Sequence, residues 1–234
     1  MNGTPLKDSQ GHHAALMDQV YRHQRHFYDF TRKYYLLGRD RMVRDLTAKA
    51  GDSIVEIGCG TARNLIRIAQ LYPGTRLYGL DASAEMLQTA KEAVERAQLS
   101  DRVTLVYALA EDLSPGLFGR DEPFDHIIFS YSLSMIPDWR LALDRAAACV
   151  EPRGFVHVVD FGDLAGMWGI AARALRGWLN LFHVVPRDEL LNWLEAGTVA
   201  DSGCSLSVWP GRYAFVLKAS PSFICELSEQ RRRS

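Results

Sequence analysis

Apolar and polar positions alternate with two different spacings along the chain. Residues 14–49 place apolar side chains three or four positions apart, which predicts helix, and Gly38 divides this stretch into two helices. Beyond residue 50, short apolar runs alternate with further helical spacing, and turn residues such as Pro73-Gly74 stand between them. The predicted strands are 53–57, 76–80, 103–107, 125–130 and 155–159, and the predicted helices are 62–71, 83–96 and 139–150, the last ended by Pro152 and Gly154. A final pair of strands, 205–209 and 213–217, flanks Pro210-Gly211 and predicts a hairpin.

This order of elements predicts an α/β fold. Strands that alternate with helices form a mostly parallel sheet that is covered on both faces. The terminal hairpin adds one antiparallel strand at or near an edge. No repeat or low-complexity linker divides the chain, so we predict a single domain over 1–234. It would comprise an N-terminal helical lid (14–49), a core (50–220) and a helical insertion (164–186).

Composition and charge narrow the class of protein. The 234 residues carry 27 Lys and Arg against 28 Asp and Glu, a net charge of −1, which argues against a general nucleic-acid coat. The first residues contain no apolar stretch typical of a signal peptide. The four cysteines form no CxxC pair, which is typical of reduced thiols in the cytoplasm and predicts no metal site.

A glycine turn follows the first predicted strand, in the run EIGCGTA (56–62). Gly58 and Gly60 allow a sharp turn and a close approach of a ligand to the backbone. The next strand ends at Asp81, 21 residues after Gly60, where a carboxylate can hold both ribose hydroxyls of a nucleoside. Ligands of such sheets bind outside the carboxyl ends of the strands, so both features should share one crevice. The alternative is a tight turn beside a solvated aspartate.

The residues around the turn favour one kind of nucleoside. Arg63 stands where a dinucleotide fingerprint needs a third glycine, and no Gly-Lys-Ser/Thr of a P-loop follows. Glu56, just before the turn, is a poor neighbour for a pyrophosphate and a good one for an ammonium group. The pattern therefore favours a nucleoside that carries an amino acid, S-adenosylmethionine.

Three motifs resemble those of the class I S-adenosylmethionine-dependent methyltransferases: VEIGCGTA (55–62), LYGLDASAEML (77–87) and ALAEDL (108–113). The resemblance covers about 50–220. It implies a Rossmann-like sheet of seven strands in the order 3-2-1-4-5-7-6, with strand 7 antiparallel, and S-adenosylhomocysteine as product. The cofactor-binding residues that we expect are Glu56, Gly58, Gly60, Asp81, Ala82, Met86, Ala110, Glu111, Asp112, Ser130 and Arg32. One departure concerns the adenine-side loop, which commonly reads Gly-Asp-Ala and here reads Ala108-Leu109-Ala110. The usual ligand of the adenine amino group is thus absent at 109, and Glu111 or Asp112 would take its place.

The acceptor side is predicted from the segments around the crevice mouth. The run SYSLSMIPDW (130–139) should lie over the transferred methyl group, and Asp160 ends the fifth strand at the same mouth. We predict catalytic roles for Tyr131, Tyr28 and Asp160. The group that takes the acceptor's proton is left open among Asp160, His26, Tyr131 and water.

Two further segments have a chemistry suited to an acceptor. Between residues 21 and 49, eight Lys and Arg accompany three Asp, and Tyr21, Arg25, Tyr28 and Arg32 share one helical face. Arginines could hold a carboxylate and tyrosines a cationic amine, although a solvated basic face is the alternative. The run GMWGIAARALRGWLNLF (166–182) suits an interfacial helix or a wall for acyl chains, or else an ordinary buried helix. The substrate-binding residues that we expect are Tyr21, Arg25, Tyr34, His183 and Arg187.

Three segments together resemble a narrower family, the diacylglyceryl-homoserine N-methyltransferases of betaine-lipid synthesis. They are YRHQRHFYDFTRKYYLLGRDRM (21–42), SYSLSMIPDW (130–139) and VVDFGD (158–163). The resemblance implies three methyl transfers to the amine of a lipid-linked homoserine. It also implies a peripheral position on the inner face of the membrane and a partner synthase that forms the homoserine lipid, with no nucleic acid. The alternatives are a phosphatidylethanolamine N-methyltransferase, a small-molecule O-methyltransferase and a non-catalytic subunit that binds cofactor; the oligomeric state is left open.

Overall fold

The structure is a computed structural model that describes residues 37–181, 184–198 and 203–233. Seven strands lie within these ranges: β1 (Ser53–Ile57), β2 (Arg76–Asp81), β3 (Val103–Tyr107), β4 (Phe124–Ser130), β5 (Val150–Phe161), β6 (Cys204–Val208) and β7 (Ala214–Ala219). The helices there are α1 (Arg39–Arg44), α2 (Arg63–Leu71), α3 (Ala84–Arg96), α4 (Trp139–Cys149), α5 (Gly169–Asn180), α6 (Asp188–Thr198) and α7 (Pro221–Arg233). Short 3-10 turns cover Ala110–Asp112, Pro115–Phe118 and Pro210–Arg212.

The strands form one sheet in the order β3-β2-β1-β4-β5-β7-β6. Strands β1 to β5 pair in parallel, whereas β7 pairs antiparallel with β5 on one side and β6 on the other. The predicted order and the antiparallel seventh strand are confirmed. The sheet has the topology of a Rossmann-like class I methyltransferase fold.

The sheet is buried on both faces. All five residues of β1 are buried. Because successive side chains of a strand point to opposite faces of the sheet, these residues pack into two different cores. Val55 and Ile57 pack with residues of α4, α6 and α7, whereas Ile54 packs with residues of α1, α2, α3 and α5. A central strand held from both faces gives the loops at its carboxyl end a rigid base.

The fifth strand is longer than predicted. It spans Val150–Phe161, so Pro152 and Gly154 lie inside it, although we expected them to end the preceding helix ahead of a strand at 155–159. The register with β4 shifts between Phe124 and His126, and a Cβ at Gly154 would lie 2.4 Å from the carbonyl oxygen of Asp125. Glycine therefore permits a close backbone approach at an irregular pairing, which apolar spacing does not reveal.

A helix begins directly after Gly38, where the break was predicted, and the helix predicted before it lies outside the described residues. Gly38 has φ +84°, and a Cβ there would lie 2.8 Å from Cγ2 of Val216. Both the left-handed backbone and the lack of space for a side chain therefore favour glycine directly before α1. The predicted lid upstream of residue 37 lies outside the described residues. The predicted insertion contains α5. Within the described ranges, no helix combines the length and the apolarity needed to cross a membrane.

Candidate active site

The glycine turn after β1 adopts the left-handed backbone that its sequence predicts. Gly58, Gly60 and Ala62 have φ of +71°, +53° and +59°. The backbone N–H groups of Gly58 and Cys59 both donate to the carbonyl of Leu80, at 2.8 and 3.0 Å. The turn is thereby fastened to the carboxyl end of β2.

Asp81 ties this turn to the next connection. Its Oδ2 accepts from the backbone N–H of Gly60 at 2.8 Å, its Oδ1 accepts from that of Ser83 at 2.9 Å, and its side chain is buried. The backbone N–H of Ala108 donates to the Asp81 carbonyl at 3.2 Å. Asp81 therefore fixes the glycine turn relative to the start of α3.

Glu56 lies beneath the turn, and its side chain is only 2% exposed. Its Oε1 accepts from Nδ2 of Asn64 at 2.6 Å, an orienting contact that the sequence analysis missed. Asn64 stands in the first turn of α2, whose N-cap residue Ala62 makes no side-chain capping bond. Burial, with Asp81 and Glu56 nearby, raises the pKa of the Cys59 thiol well above its usual range. The thiol therefore stays protonated and is unsuited to act as a nucleophile.

Ser132 closes the cradle from the side of β4 and was not predicted. A Cβ added at Gly58 would lie 2.7 Å from Cβ of Ser132, so the two segments approach more closely than a side chain at position 58 would allow. The side chain of Ser132 is buried, and within the part of the chain that the structure describes its Oγ has no hydrogen-bond partner. A buried hydroxyl without a partner beside a glycine turn fits a polar ligand that supplies one.

The adenine-side residues cluster at the ends of β2 and β3. Ala110, Glu111 and Asp112 form a 3-10 turn directly after β3, with Ala110 buried and Asp112 exposed. Ser83 caps α3 by accepting from the backbone N–H of Met86, whose side chain is buried, and Ala82 is half-buried between them. Ser130 ends β4, where it lies opposite Val159 and is buried.

The segment after β4 is held by two charged side chains. Asp160 accepts from the backbone N–H groups of Ser134 at 3.0 Å and of Phe161 at 2.7 Å. Arg187 donates to the carbonyls of Leu133 at 3.1 Å and Ile136 at 2.6 Å. Burial raises the pKa of Asp160 to about 6, against the lowering effect of these N–H groups and of Arg187. Both side chains fix the backbone that we expect over the acceptor.

Tyr131 is buried within this segment, with φ +56°. Its hydroxyl donates to the carbonyl of Leu37 at 2.5 Å, and its ring packs against Phe161 with centroids 4.8 Å apart. Burial, followed by Tyr213 and Asp160, raises the pKa of Tyr131 well above its usual range. The structure thus places Tyr131 between the mouth of the crevice and the N-terminal part of the chain.

Several predicted residues lie outside the described ranges, and their roles stay predictions. They are Tyr21, Arg25, Tyr28, Arg32, Tyr34 and His183, together with His26. The structure brings Glu56, Gly58, Gly60 and Asp81 together at the carboxyl end of the central strands. It places Asp160 and Arg187 against the segment after β4 that we expect over the acceptor.

The chain matches a family model over this region. Residues 54–154 match the model of the "Methyltransferase domain", a range that spans the glycine turn, Asp81, the adenine-side turn and Ser132. Among curated proteins, the chain is 26% identical over 160 residues to demethylmenaquinone methyltransferase of Geobacillus sp. (strain WCH70), covering 66% of this chain and 64% of that protein. It is 30% identical over 172 residues to 27-O-demethylrifamycin SV methyltransferase of Amycolatopsis mediterranei (strain S699), covering 72% and 61%. The match therefore spans somewhat less than two thirds of these relatives' own length.

Solved structures share the fold. A methyltransferase in complex with the Haloferax volcanii Trm112 activator superposes with a TM-score of 0.65 at 15% identity, covering 88% of this chain and 97% of the other. The Haemonchus contortus phosphoethanolamine N-methyltransferase 2, solved with S-adenosylhomocysteine, superposes with a TM-score of 0.58 at 19% identity, covering 72% and 38%. Residues 54–154 match the methyltransferase domain, and S-adenosylmethionine is the cofactor that this match indicates.

Proposed function

We propose that this chain is an S-adenosylmethionine-dependent N-methyltransferase that adds three methyl groups to the amine of diacylglyceryl-homoserine. The methyl-transfer part rests on one observation above all. Within the matched methyltransferase domain, a buried aspartate fastens a glycine turn at the carboxyl ends of β1 and β2.

The residues of the cradle fit the parts of the cofactor. Asp81 would hold the ribose hydroxyls, and the turn at Gly58 and Gly60 would admit the amino-acid end, with Glu56 near its ammonium group. On the same side, the cofactor would supply a hydrogen-bond partner to the buried hydroxyl of Ser132. Bound S-adenosylmethionine supplies an electrophilic methyl group on a sulfonium.

The protein's own contribution to transfer is alignment and exclusion of water. Asp160 and Arg187 hold the backbone of 133–136 from two directions, which keeps this wall of the crevice fixed. Asp160 is completely buried, so it acts on the acceptor side through Ser134, as a positioning residue. An amine acceptor must arrive in its neutral form, which a buried crevice favours because burial disfavours charge.

The described part of the first segment, residues 37–42, contacts the other two segments that resemble the betaine-lipid family, which supports the lipid amine as acceptor. Tyr131, in the second segment, donates its backbone N–H to the carbonyl of Val159 in the third, at 2.7 Å. Its hydroxyl donates to Leu37 in the first. The described parts of the three segments therefore meet at the ends of β4 and β5.

The names of the curated relatives favour a second candidate, methylation of a quinone. They include demethylmenaquinone methyltransferase and, at 26% identity over 57% of this chain, 2-phytyl-1,4-naphtoquinone methyltransferase of Trichormus variabilis. In that case the same cradle would serve a ring acceptor, and no amine would be needed.

One experiment separates these candidates. The purified chain is incubated with labelled S-adenosylmethionine and, separately, with diacylglyceryl-homoserine, phosphatidylethanolamine and demethylmenaquinone, and mass spectrometry counts the methyl groups on each product. We expect up to three on diacylglyceryl-homoserine. Transfer to the quinone alone would contradict the amine acceptor, and cofactor binding with no transfer to any of them would point to a non-catalytic subunit.

A further inference from the structure

The most exposed large apolar side chains within the described ranges are concentrated in one segment. Trp168 is 89% exposed, Ile170 81% and Leu181 68%, whereas such side chains elsewhere in these ranges reach at most 55%, at Tyr107. Trp168 is the N-cap residue of α5, and Leu181 is its C-cap residue. The exposed apolar surface therefore follows the length of one helix.

The two sides of α5 differ sharply in what they contact. Leu175, Trp178 and Leu179 belong to the core on that face of the sheet. The outward stripe, at helical spacing, consists of exposed residues: Ile170, Arg173, Ala174, Gly177 and Leu181. An outward helix face in contact with water normally carries several charged side chains, and this stripe carries one arginine.

The charged side chains of α5 itself are of one sign. Residues 164–187 contain Arg173, Arg176 and Arg187 and no aspartate or glutamate. Of the carboxylates that border this stretch, Asp163 is paired with Arg212 and Asp188, which is 49% exposed, is paired with Arg176. An apolar helix face that carries the exposed Arg173 and no carboxylate matches the surface of an anionic membrane, where apolar side chains enter the headgroup region and an arginine meets phosphates.

The same helix is joined to the acceptor side of the crevice. Arg176 donates to the carbonyl of Asp163 at 2.5 Å and to Oδ1 of Asp188 at 3.0 Å. Further along, Val185 donates its backbone N–H to the carbonyl of Ser134 at 2.9 Å, and its side chain is 49% exposed. A membrane against α5 would therefore lie beside the segment that walls the acceptor site.

We propose that α5 and its flanks, with Trp168 and Ile170 as the inserted side chains, dock this protein onto an anionic lipid bilayer. This proposal rests on the proposed function, because docking on a bilayer would bring the enzyme to its lipid acceptor. Its test does not depend on methyl transfer.

The test is co-sedimentation of the full chain with vesicles of phosphatidylglycerol and phosphatidylcholine, and with phosphatidylcholine alone. We expect binding to the anionic vesicles that weakens with salt, because the arginine contribution is screened. The double variant Trp168→Glu/Ile170→Glu should lose roughly tenfold or more of this binding, since two apolar anchors are replaced by charges.

A matched control exists on another helix. Leu141 is 39% exposed and stands in the first turn of α4, and Ile170 stands in the first turn of α5. Leu141→Glu therefore matches the Ile170→Glu half of the double variant in charge and in helix position, on a helix against the opposite core. It should bind vesicles like the wild type. Equal loss in the control, or no vesicle binding by the wild type, would overturn the proposal.

Two other occupants of this face give different results. If a second copy covers it, the double variant changes the molecular mass measured by light scattering. If another part of the same chain covers it, the thermal unfolding midpoint of the double variant falls by several degrees. Either result overturns the lipid surface as occupant, whereas methyl transfer to a dispersed acceptor by the same variant tests the proposed function separately.

Discussion

The close approach of Gly58 to Ser132 makes a sharp prediction about the cofactor cradle. In Gly58→Ala the new Cβ would lie 2.7 Å from Cβ of Ser132, and no rotamer change moves a Cβ. Alanine at φ +71° also costs about 1–2 kcal/mol in backbone strain. The turn must shift, which endangers the bonds from Gly58 and Cys59 to Leu80 and from Gly60 to Asp81, each worth about 1 kcal/mol. With these contributions summed, we expect a loss of about 4–5 kcal/mol in the free energy of unfolding.

Isothermal titration with S-adenosylhomocysteine and denaturant unfolding would measure the two consequences. Because the turn borders the ligand, we expect affinity to fall at least about a hundredfold. Gly119→Ala is the matched control, since Gly119 has φ +66° and a Cβ there would meet nothing within 4 Å. It should lose only the strain of about 1–2 kcal/mol and bind the ligand normally.

A second substitution tests the steric part of this reasoning. Ser132→Gly removes the Cβ that the new methyl group of Gly58→Ala would strike, and the next backbone atom, Cα of residue 132, would lie 4.0 Å away. The double variant Gly58→Ala/Ser132→Gly should therefore be more stable than the sum of the two single changes implies. Strict additivity, or a Gly58→Ala protein that behaves like the Gly119→Ala control, would refute the close contact.

Three further predictions concern groups away from this contact. Asp81→Asn should weaken cofactor binding at least about tenfold, measured by titration calorimetry, because an amide oxygen can replace only one of the two carboxylate acceptors; unchanged affinity would remove the ribose assignment. Burial lowers the pKa values of His126 and His157, whose ring nitrogens lie 3.1 Å apart. As the pH falls, these histidines are therefore protonated in the unfolded chain before they are protonated in the folded one, and stability should fall as pH drops below about 6.5. Unfolding curves near pH 7.5 and 5.5 check this, and replacement of both histidines by glutamine should flatten the slope. Tyr131→Phe should cost about 1 kcal/mol of stability through the lost bond to Leu37 and slow methyl transfer more than it weakens cofactor binding; an equal loss in both would indicate a structural role alone.

The sequence predicted the sheet and the cradle because both are local signals. Gly58 and Gly60 mark a turn by composition, and Asp81 ends a strand at a spacing that strand and helix lengths determine. Ser132 could not be found in this way, since its contact with Gly58 crosses between two parallel strands that are far apart in sequence. A serine between Tyr131 and Leu133 carries no pattern that distinguishes a buried hydroxyl from an exposed one.

The elements after β5 were harder to predict for another reason. Helices α6 and α7 have apolar positions that pack on the core only because β6 and β7 return the chain beside them. The start of β5 was misjudged because Pro152 and Gly154 usually end elements, and only the irregular pairing at Asp125 accommodates them. In both cases the deciding contact is nonlocal, so periodicity within a window cannot show it.

Asp160 shows why a costly side chain can occupy the end of β5. A pKa raised from 3.8 to about 6 corresponds to about 3 kcal/mol in favour of the protonated form, so the charged carboxylate is destabilising at neutral pH. An asparagine would avoid that charge but could accept from only one of the two N–H groups, of Ser134 and Phe161, that the carboxylate holds on separate oxygens. Ser134 lies in the segment that we propose as a wall of the acceptor crevice, so the geometry that Asp160 maintains there, and not stability, explains the charge. The folded state binds this proton more tightly than the unfolded chain, so acidification through about pH 6 stabilises the protein through Asp160. The same acidification destabilises it through His126, near the start of β4, and His157, in the second half of β5.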